Sequence, residues 1–215
     1  MKVLVPLLLR PNGPDVWVQN AEKIKNTLTF EDKEVVIFDE EVSSYQSKFA
    51  AESNARNAVI DKYLRDDHTH VFWIDTDVVE FDEDIIEKIV SLPGYNPLRD
   101  IVAPYVYLED NDTWNFKRFY DISCFRDNSG ECFDYKEPYG GFDMEQLVHP
   151  CSCVGTCFLM PASIYQNGVR YDPFDERNEH VPFFEEAKQR GYAVWATPHI
   201  EIRHAFLPKY GINFR

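Results

Sequence analysis

The sequence predicts a single α/β domain in which a mostly parallel central sheet is flanked by helices. Three observations lead there. A chain of 215 residues with 44% hydrophobic content can bury one substantial core. Apolar runs of strand length alternate with amphipathic stretches through the first half, the pattern of right-handed βαβ units. The run Val71-Phe72-Trp73-Ile74 is apolar on both faces, as a central strand is, before it ends in Asp75-Thr76-Asp77.

Taken in order, Val3 to Leu9 reads as the first strand. Behind Met1-Lys2 it has the outline of a signal peptide, but it is short, carries Pro6, ends at Arg10 and has no small-residue cleavage site after it. Turn chemistry at Pro11-Asn12-Gly13-Pro14-Asp15 opens a helix to about Leu28, with Val16, Trp17, Ala21, Ile24 and Leu28 on its apolar face. Glu34 to Asp39 is a second buried strand with an acid at its exit. Glu52 to Arg65 is an amphipathic helix facing inward with Ala55, Ala58, Val59 and Tyr63. After the central strand, Asp82 or Asp84 opens a helix to about Leu92, Pro93-Gly94 stops it, and Ile101 to Tyr107 is a further strand. Residues 108–150 are aromatic and acidic without periodicity, which marks a functional segment rather than a simple connection. Trp114, Phe116, Phe119, Tyr120, Phe125, Phe133, Tyr135, Tyr139 and Phe142 divide there between core packing and stacking on sugar rings. Val154 to Met160 resumes a strand, and Gly155 in it permits close approach of a ligand or another strand. Asp172 to His180 is a polar loop, Val181 to Arg190 a helix ended by Gly191, and 193–196 and 200–204 are two closing strands.

The chemistry starts from Asp75 and Asp77. Side chains alternate along an extended chain, so both point past the strand end, where open α/β sheets bind ligands. Like charges so placed repel unless a cation joins them, and Mg2+ or Mn2+ holding a substrate's phosphate oxygens meets that need. With 37 acidic residues, such triplets also arise by chance, as at Asp82-Glu83-Asp84 and Asp110-Asn111-Asp112, but only Asp75/Asp77 ends an apolar strand. A net charge of -15 excludes a nucleic-acid backbone or an anionic membrane as partner. No stretch approaches the roughly 18 apolar residues of a membrane span. Five cysteines, an odd number, point to reduced thiols and a cytoplasmic setting, and Cys151-x-Cys153-x3-Cys157 lacks ordinary zinc-site spacing.

In this order the landmarks resemble the GT-A glycosyltransferases, a Rossmann-like family that uses nucleotide sugars, over nearly the whole chain. The resemblance rests on the acid triplet after a hydrophobic strand and on Val154-Gly155-Thr156 before an apolar strand. It rests also on the helix motif from Glu179 to Tyr192, followed by Pro198 and His204. Ser53-Asn54-Ala55-Arg56-Asn57, the metal strand and Asp100-Ile101-Val102-Ala103-Pro104 look most like the Anp1-type mannosyltransferases and short viral domains that glycosylate capsid protein. The resemblance implies transfer from a nucleotide diphosphate donor, a UDP-sugar before a GDP-sugar, to a glycan or glycoprotein acceptor, in host cytoplasm for a viral member. It implies Mn2+, or Mg2+, on Asp77 and His204, with Asp75 reaching the ion through water or holding the ribose. Pro6, Leu7, Asp39, Arg56 and Thr76 would contact the nucleotide. Glu179 stands first in the helix motif, but His180 replaces the family's second acid. The proton acceptor therefore lies among Glu179, His180, Asp175 and Asp172. A phosphatase of the haloacid dehalogenase type also follows a strand with Asp-x-Asp, but on its earliest strand, and a catalytically dead nucleotide-sugar binding module is the other alternative.

Overall fold

A computed structural model describes residues 1–9, 14–39, 47–108, 118–121, 124–133 and 138–205. Its strands are β1 (Val3–Leu8), β2 (Lys33–Phe38), β3 (His70–Ile74), β4 (Val78–Phe81), β5 (Asp100–Leu108), β6 (Arg126–Asp127), β7 (His149–Cys153), β8 (Cys157–Pro161) and β9 (Ala193–His204). The helices are α1 (Asp15–Thr27), α2 (Lys48–Tyr63), α3 (Ile85–Val90), α4 (Ser163–Gln166) and α5 (His180–Gln189). The strands form one sheet in the order β2-β1-β3-β8-β5-β9-β7-β6, with β4 paired to β9.

The α/β fold expected from the alternation is present, but the sheet is mixed rather than mostly parallel. β1 pairs in parallel with β2 and β3, and β5 with β9. β8 runs antiparallel between β3 and β5, and β7 and β4 run antiparallel to β9. β3 is buried throughout, as a strand flanked on both sides must be, and Trp73 Nε1 donates to the Tyr165 hydroxyl at 3.0 Å beneath it. β2 is a half-buried edge strand instead of a buried one, because β1 is its one neighbour.

Helix α2 begins earlier than its periodicity suggests, since Ser47 caps it by accepting from the Ala50 N–H. Its buried face is Ser53, Arg56, Val59 and Ile60, while Ala55 and Ala58 are half-buried. A charged residue at an inward position hides that face from a hydrophobic count. β4 is a strand that no sequence signal set apart, and the two expected closing strands are one strand, β9. Its register against β5 shifts between Pro104 and Tyr105, from Thr197 to Glu201, so Pro198 marks an irregularity and not an end. The strand expected from Val154 starts only at Cys157. Val154 to Thr156 form a bend in which Thr156 takes φ 51° and its carbonyl accepts the Asp75 N–H at 2.9 Å.

In the aperiodic segment, residues 118–121 lie along the end of β5. Leu108 N–H donates to Arg118 O and Tyr120 N–H to Val106 O, both at 2.9 Å. Phe119, Phe125, Phe133 and Phe142 pack on one another, with Phe133 and Phe142 stacked at 4.3 Å, so these rings are core and not a sugar platform. Trp114, Phe116, Tyr135 and the acids at 110 and 112 lie outside the described residues, as does the Tyr139 side chain. None of the five cysteines is in a disulfide. Among the described residues no helix is long and apolar enough to cross a membrane.

Candidate active site

A cavity of about 540 Å³ lies where β1, β3 and β9 end. One side is apolar, made by Leu8 and Leu9 from the end of β1, Trp17 from α1, Phe38 from β2 and Phe49 from α2. The other is polar and holds Arg56, Asp75, Asp77, Asp121, Glu179 and His204.

Pairing of β4 with β9 builds the deepest part. Val78 pairs with His204, and Ala205 N–H donates to the Asp77 carbonyl at 2.8 Å. Asp77 Oδ1 thereby comes 3.0 Å from His204 Nε2, both side chains being nearly buried. On the other side of the ring, His204 Nδ1 lies 2.8 Å from the Ala205 carbonyl. A carbonyl only accepts, so Nδ1 carries a proton, and in a neutral ring Nε2 would turn its lone pair toward a carboxylate. Something positive belongs between Nε2 and Oδ1: a proton or a metal ion. Burial opposes charging the ring, but Asp77 outweighs it and raises the His204 pKa above its ordinary value. Tyr120 stacks on the imidazole with ring centres 3.6 Å apart and fixes its plane.

These donors fit a divalent cation with an open coordination sphere. Among the described residues no three His, Cys, Asp or Glu side chains close on one point. Asp77 and His204 instead present one carboxylate oxygen and one imidazole nitrogen on a single edge, leaving the remaining positions for phosphate oxygens and water. The backbone bond at Nδ1 is the support that metal-ligating histidines ordinarily have.

Asp75 does not join that edge. The chain turns after β3, with Val78 N–H donating to Asp75 O at 3.1 Å, so the alternation that would align the two acids ends at Ile74. Asp75 Oδ1 faces Arg56 Nη2 at 3.3 Å instead. Arg56 is 5% exposed, with its guanidinium over Trp73 and Tyr171 at 4.8 and 5.6 Å and its Nε 3.9 Å from Glu179 Oε1. Burial disfavours its charge, yet Tyr171, Asp75 and Glu179 hold the pKa above the usual arginine value. Arg56 thus ties the end of β3 to the start of α5.

Glu179 and His180 are buried in the cavity wall, with His180 Nε2 3.3 Å from Glu179 Oε1. Burial, then Arg56, pushes the His180 pKa well down, so its ring is neutral. Thr76 lines the cavity and donates its hydroxyl to Leu8 O at 3.0 Å. Five expected positions fall outside the wall. Pro6 and Leu7 are buried within β1, and the strand carries Leu8 and Leu9 to the cavity in their place. Asp39 is exposed beyond β2, where Phe38 makes the wall. Asp175 is held by Arg177 through Oδ2 at 2.8 Å, and Arg177 also binds Glu185 at 2.8 Å. Asp172 caps its own loop through the Phe174 N–H. Asp175→Asn should therefore leave donor turnover within about twofold of the parent, a steady-state measurement that a loss beyond about 10-fold would contradict. Sequence reading named Tyr120 only as one of many rings in the aperiodic segment, and it missed Asp121, which no motif marks, and Trp17, whose helical spacing marked it as core.

Three solved structures of S. aureus TarS share this fold. Two cover residues 1–349, one of them in complex with UDP, at TM-score 0.60 with 8% and 9% identity; each aligns with 95% of this chain. A longer TarS structure aligns with 97% of the chain at TM-score 0.60 and 11% identity. The chain spans 60% of the length of the shorter TarS structures and 37% of the longer. No curated protein matches the sequence at a significant level. The mixed sheet is that of the TarS structures and belongs to the GT-A class of folds. Residues 23–135, more than half of the chain, match the Anp1 family, and the chain belongs to it. Membership in a glycosyltransferase family leaves the phosphatase alternative without support.

Proposed function

We propose that this chain moves a sugar from a nucleotide diphosphate, a UDP-sugar before a GDP-sugar, to a glycan or glycoprotein acceptor, with Mn2+ or Mg2+ required. The observation that carries the metal is the 3.0 Å approach of Asp77 Oδ1 and His204 Nε2, with Nδ1 already committed to a carbonyl. A cation there would neutralise the charge that grows on the departing diphosphate. The apolar wall of Leu8, Leu9, Trp17, Phe38 and Phe49 suits the flat base of a nucleotide, and the UDP seen in a TarS structure of the same fold favours uracil. Asp75, held by Arg56, faces the ribose and diphosphate. Glu179, fixed by Arg56 and His180, is the acid placed to accept the proton of the acceptor hydroxyl as the new glycosidic bond forms.

The test is thermal shift against UDP, GDP and their sugars with and without Mn2+, followed by donor hydrolysis. A UDP-sugar is expected to raise the melting temperature only with metal, and the protein to release free sugar slowly. Binding without hydrolysis would mark a dead binding module. Absence of any metal-dependent shift would overturn the proposal.

A further inference from the structure

Asp121 is the one buried carboxylate of the cavity wall that the proposal above leaves without a role. Its backbone is fixed, because Phe119 bridges Tyr107 and the neighbouring residues bond to the end of β5. Its side chain is 4% exposed. Cys124 donates its thiol to Oδ1 and the Thr156 hydroxyl also favours the ionised carboxylate, while Oδ2 is buried and makes no hydrogen bond of ordinary geometry among the described residues. Among the described residues no lysine or arginine forms an ion pair with it.

The chain bends locally to keep that carboxylate in place. A side chain at Gly155 would run into Cys124 Sγ and Asp121 Oδ2, so the absent Cβ makes the room. The next residue, Thr156, takes the positive φ of 51° that side chains rarely adopt. Neither feature, nor an orphan acceptor, stabilises the fold by itself. All three make sense if a ligand brings the missing donor.

We propose that Asp121 accepts a hydrogen bond from a hydroxyl of the transferred sugar and thereby takes part in selecting the donor. The placement follows from its neighbours and rests on the donor site described above. Tyr120, adjacent in the chain, covers His204, so Asp121 stands beside the end of the cavity where the diphosphate would meet Asp77. A sugar joined to that diphosphate lies within reach, and a carboxylate there repels phosphate but receives hydroxyl protons well. Burial raises its pKa to about 6, with Cys124 and Thr156 opposing, Asp75 adding and His204 subtracting, so at neutral pH it is an ionised acceptor. If Asp121 served only to hold Cys124, its loss would lower stability without distinguishing one donor from another.

The experiment compares the full chain with Asp121→Asn, using UDP with Mn2+, the best UDP-sugar from the panel and that donor's deoxy analogues. The variant should bind UDP within about twofold of the parent, but its kcat/KM for donor hydrolysis should fall by about 100-fold or more. One deoxy analogue should cost the parent a comparable factor and cost the variant nothing further. If Asp121→Asn does not melt cooperatively, Asp121→Glu, which moves the carboxylate without removing it, carries the same expectation. Equal losses in parent and variant for every deoxy analogue, or a parallel loss of UDP itself, would overturn the assignment. A parent protein that neither binds UDP or GDP with Mn2+ nor hydrolyses any donor overturns the donor site and Asp121's role together, whereas an active parent with additive losses overturns the role alone.

Discussion

The Asp77→Ala protein is expected to melt cooperatively within a few degrees of its parent while losing about 10³-fold, ~4 kcal/mol, of metal-dependent UDP affinity and donor turnover. The fold should persist because the backbone bond that joins residue 77 to the end of β9 does not depend on its side chain. Its carbonyl receives the Ala205 N–H, and that bond survives in alanine. The His204 ring can adjust to the loss. With the carboxylate gone, burial opposes a charge on His204 without Asp77 to outweigh it, which favours a neutral imidazole under Tyr120 with Nδ1 on the Ala205 carbonyl. One nitrogen alone is a poor site for a hard cation. Titration calorimetry with UDP, with and without Mn2+, separates the loss from unfolding. Mn2+-dependent binding that survives in a folded variant would show that the ion is held elsewhere.

How much of this was legible in the sequence depends on how local each feature is. β3 could be read because burial on both faces needs four apolar residues in a row, and the acids after it marked the ligand end of the sheet. The helix α5 motif and the final histidine were also legible as an ordered pattern. That Asp77 and His204 touch was not, because it depends on β4, a four-residue strand hidden behind the acids, pairing antiparallel with β9. The sharing of the two acids between His204 and Arg56 was hidden for a related reason. Alternation holds only while the chain stays extended, and here it turns at Asp75. Strand direction lay out of reach too, since the antiparallel insertion of β8 between β3 and β5 leaves no trace in either strand's composition. Pro6 and Leu7 were placed early by the ordinary uncertainty of a strand's end. Asp121 could not be found at all: its environment is assembled by Cys124, Gly155 and Thr156, and no spacing announces it.

Replacing Arg56 by methionine, which keeps much of the apolar stem and removes the charge, is expected to destabilise the fold by ~3–5 kcal/mol and to abolish detectable transfer. The guanidinium is a buried cation in a chain of net charge -15, and its position between Trp73 and Tyr171 is one an apolar side chain can fill. Packing is therefore not the main loss. What remains behind is Glu179, 4% exposed and with Oε2 lacking a hydrogen-bond partner among the described residues, in a wall that has lost the cation facing both it and Asp75. A buried acid that loses a facing cation favours its neutral form. The penalty comes from negative charge left at the site, so it is full at neutral and alkaline pH and shrinks as acid neutralises that charge. Denaturant unfolding of parent and variant from about pH 8 to about pH 5 should show the gap closing toward acid. A gap that does not change with pH would mean that Arg56 acts by stacking on its two aromatic neighbours and not as the counter-charge that holds Asp75 and Glu179 in one site.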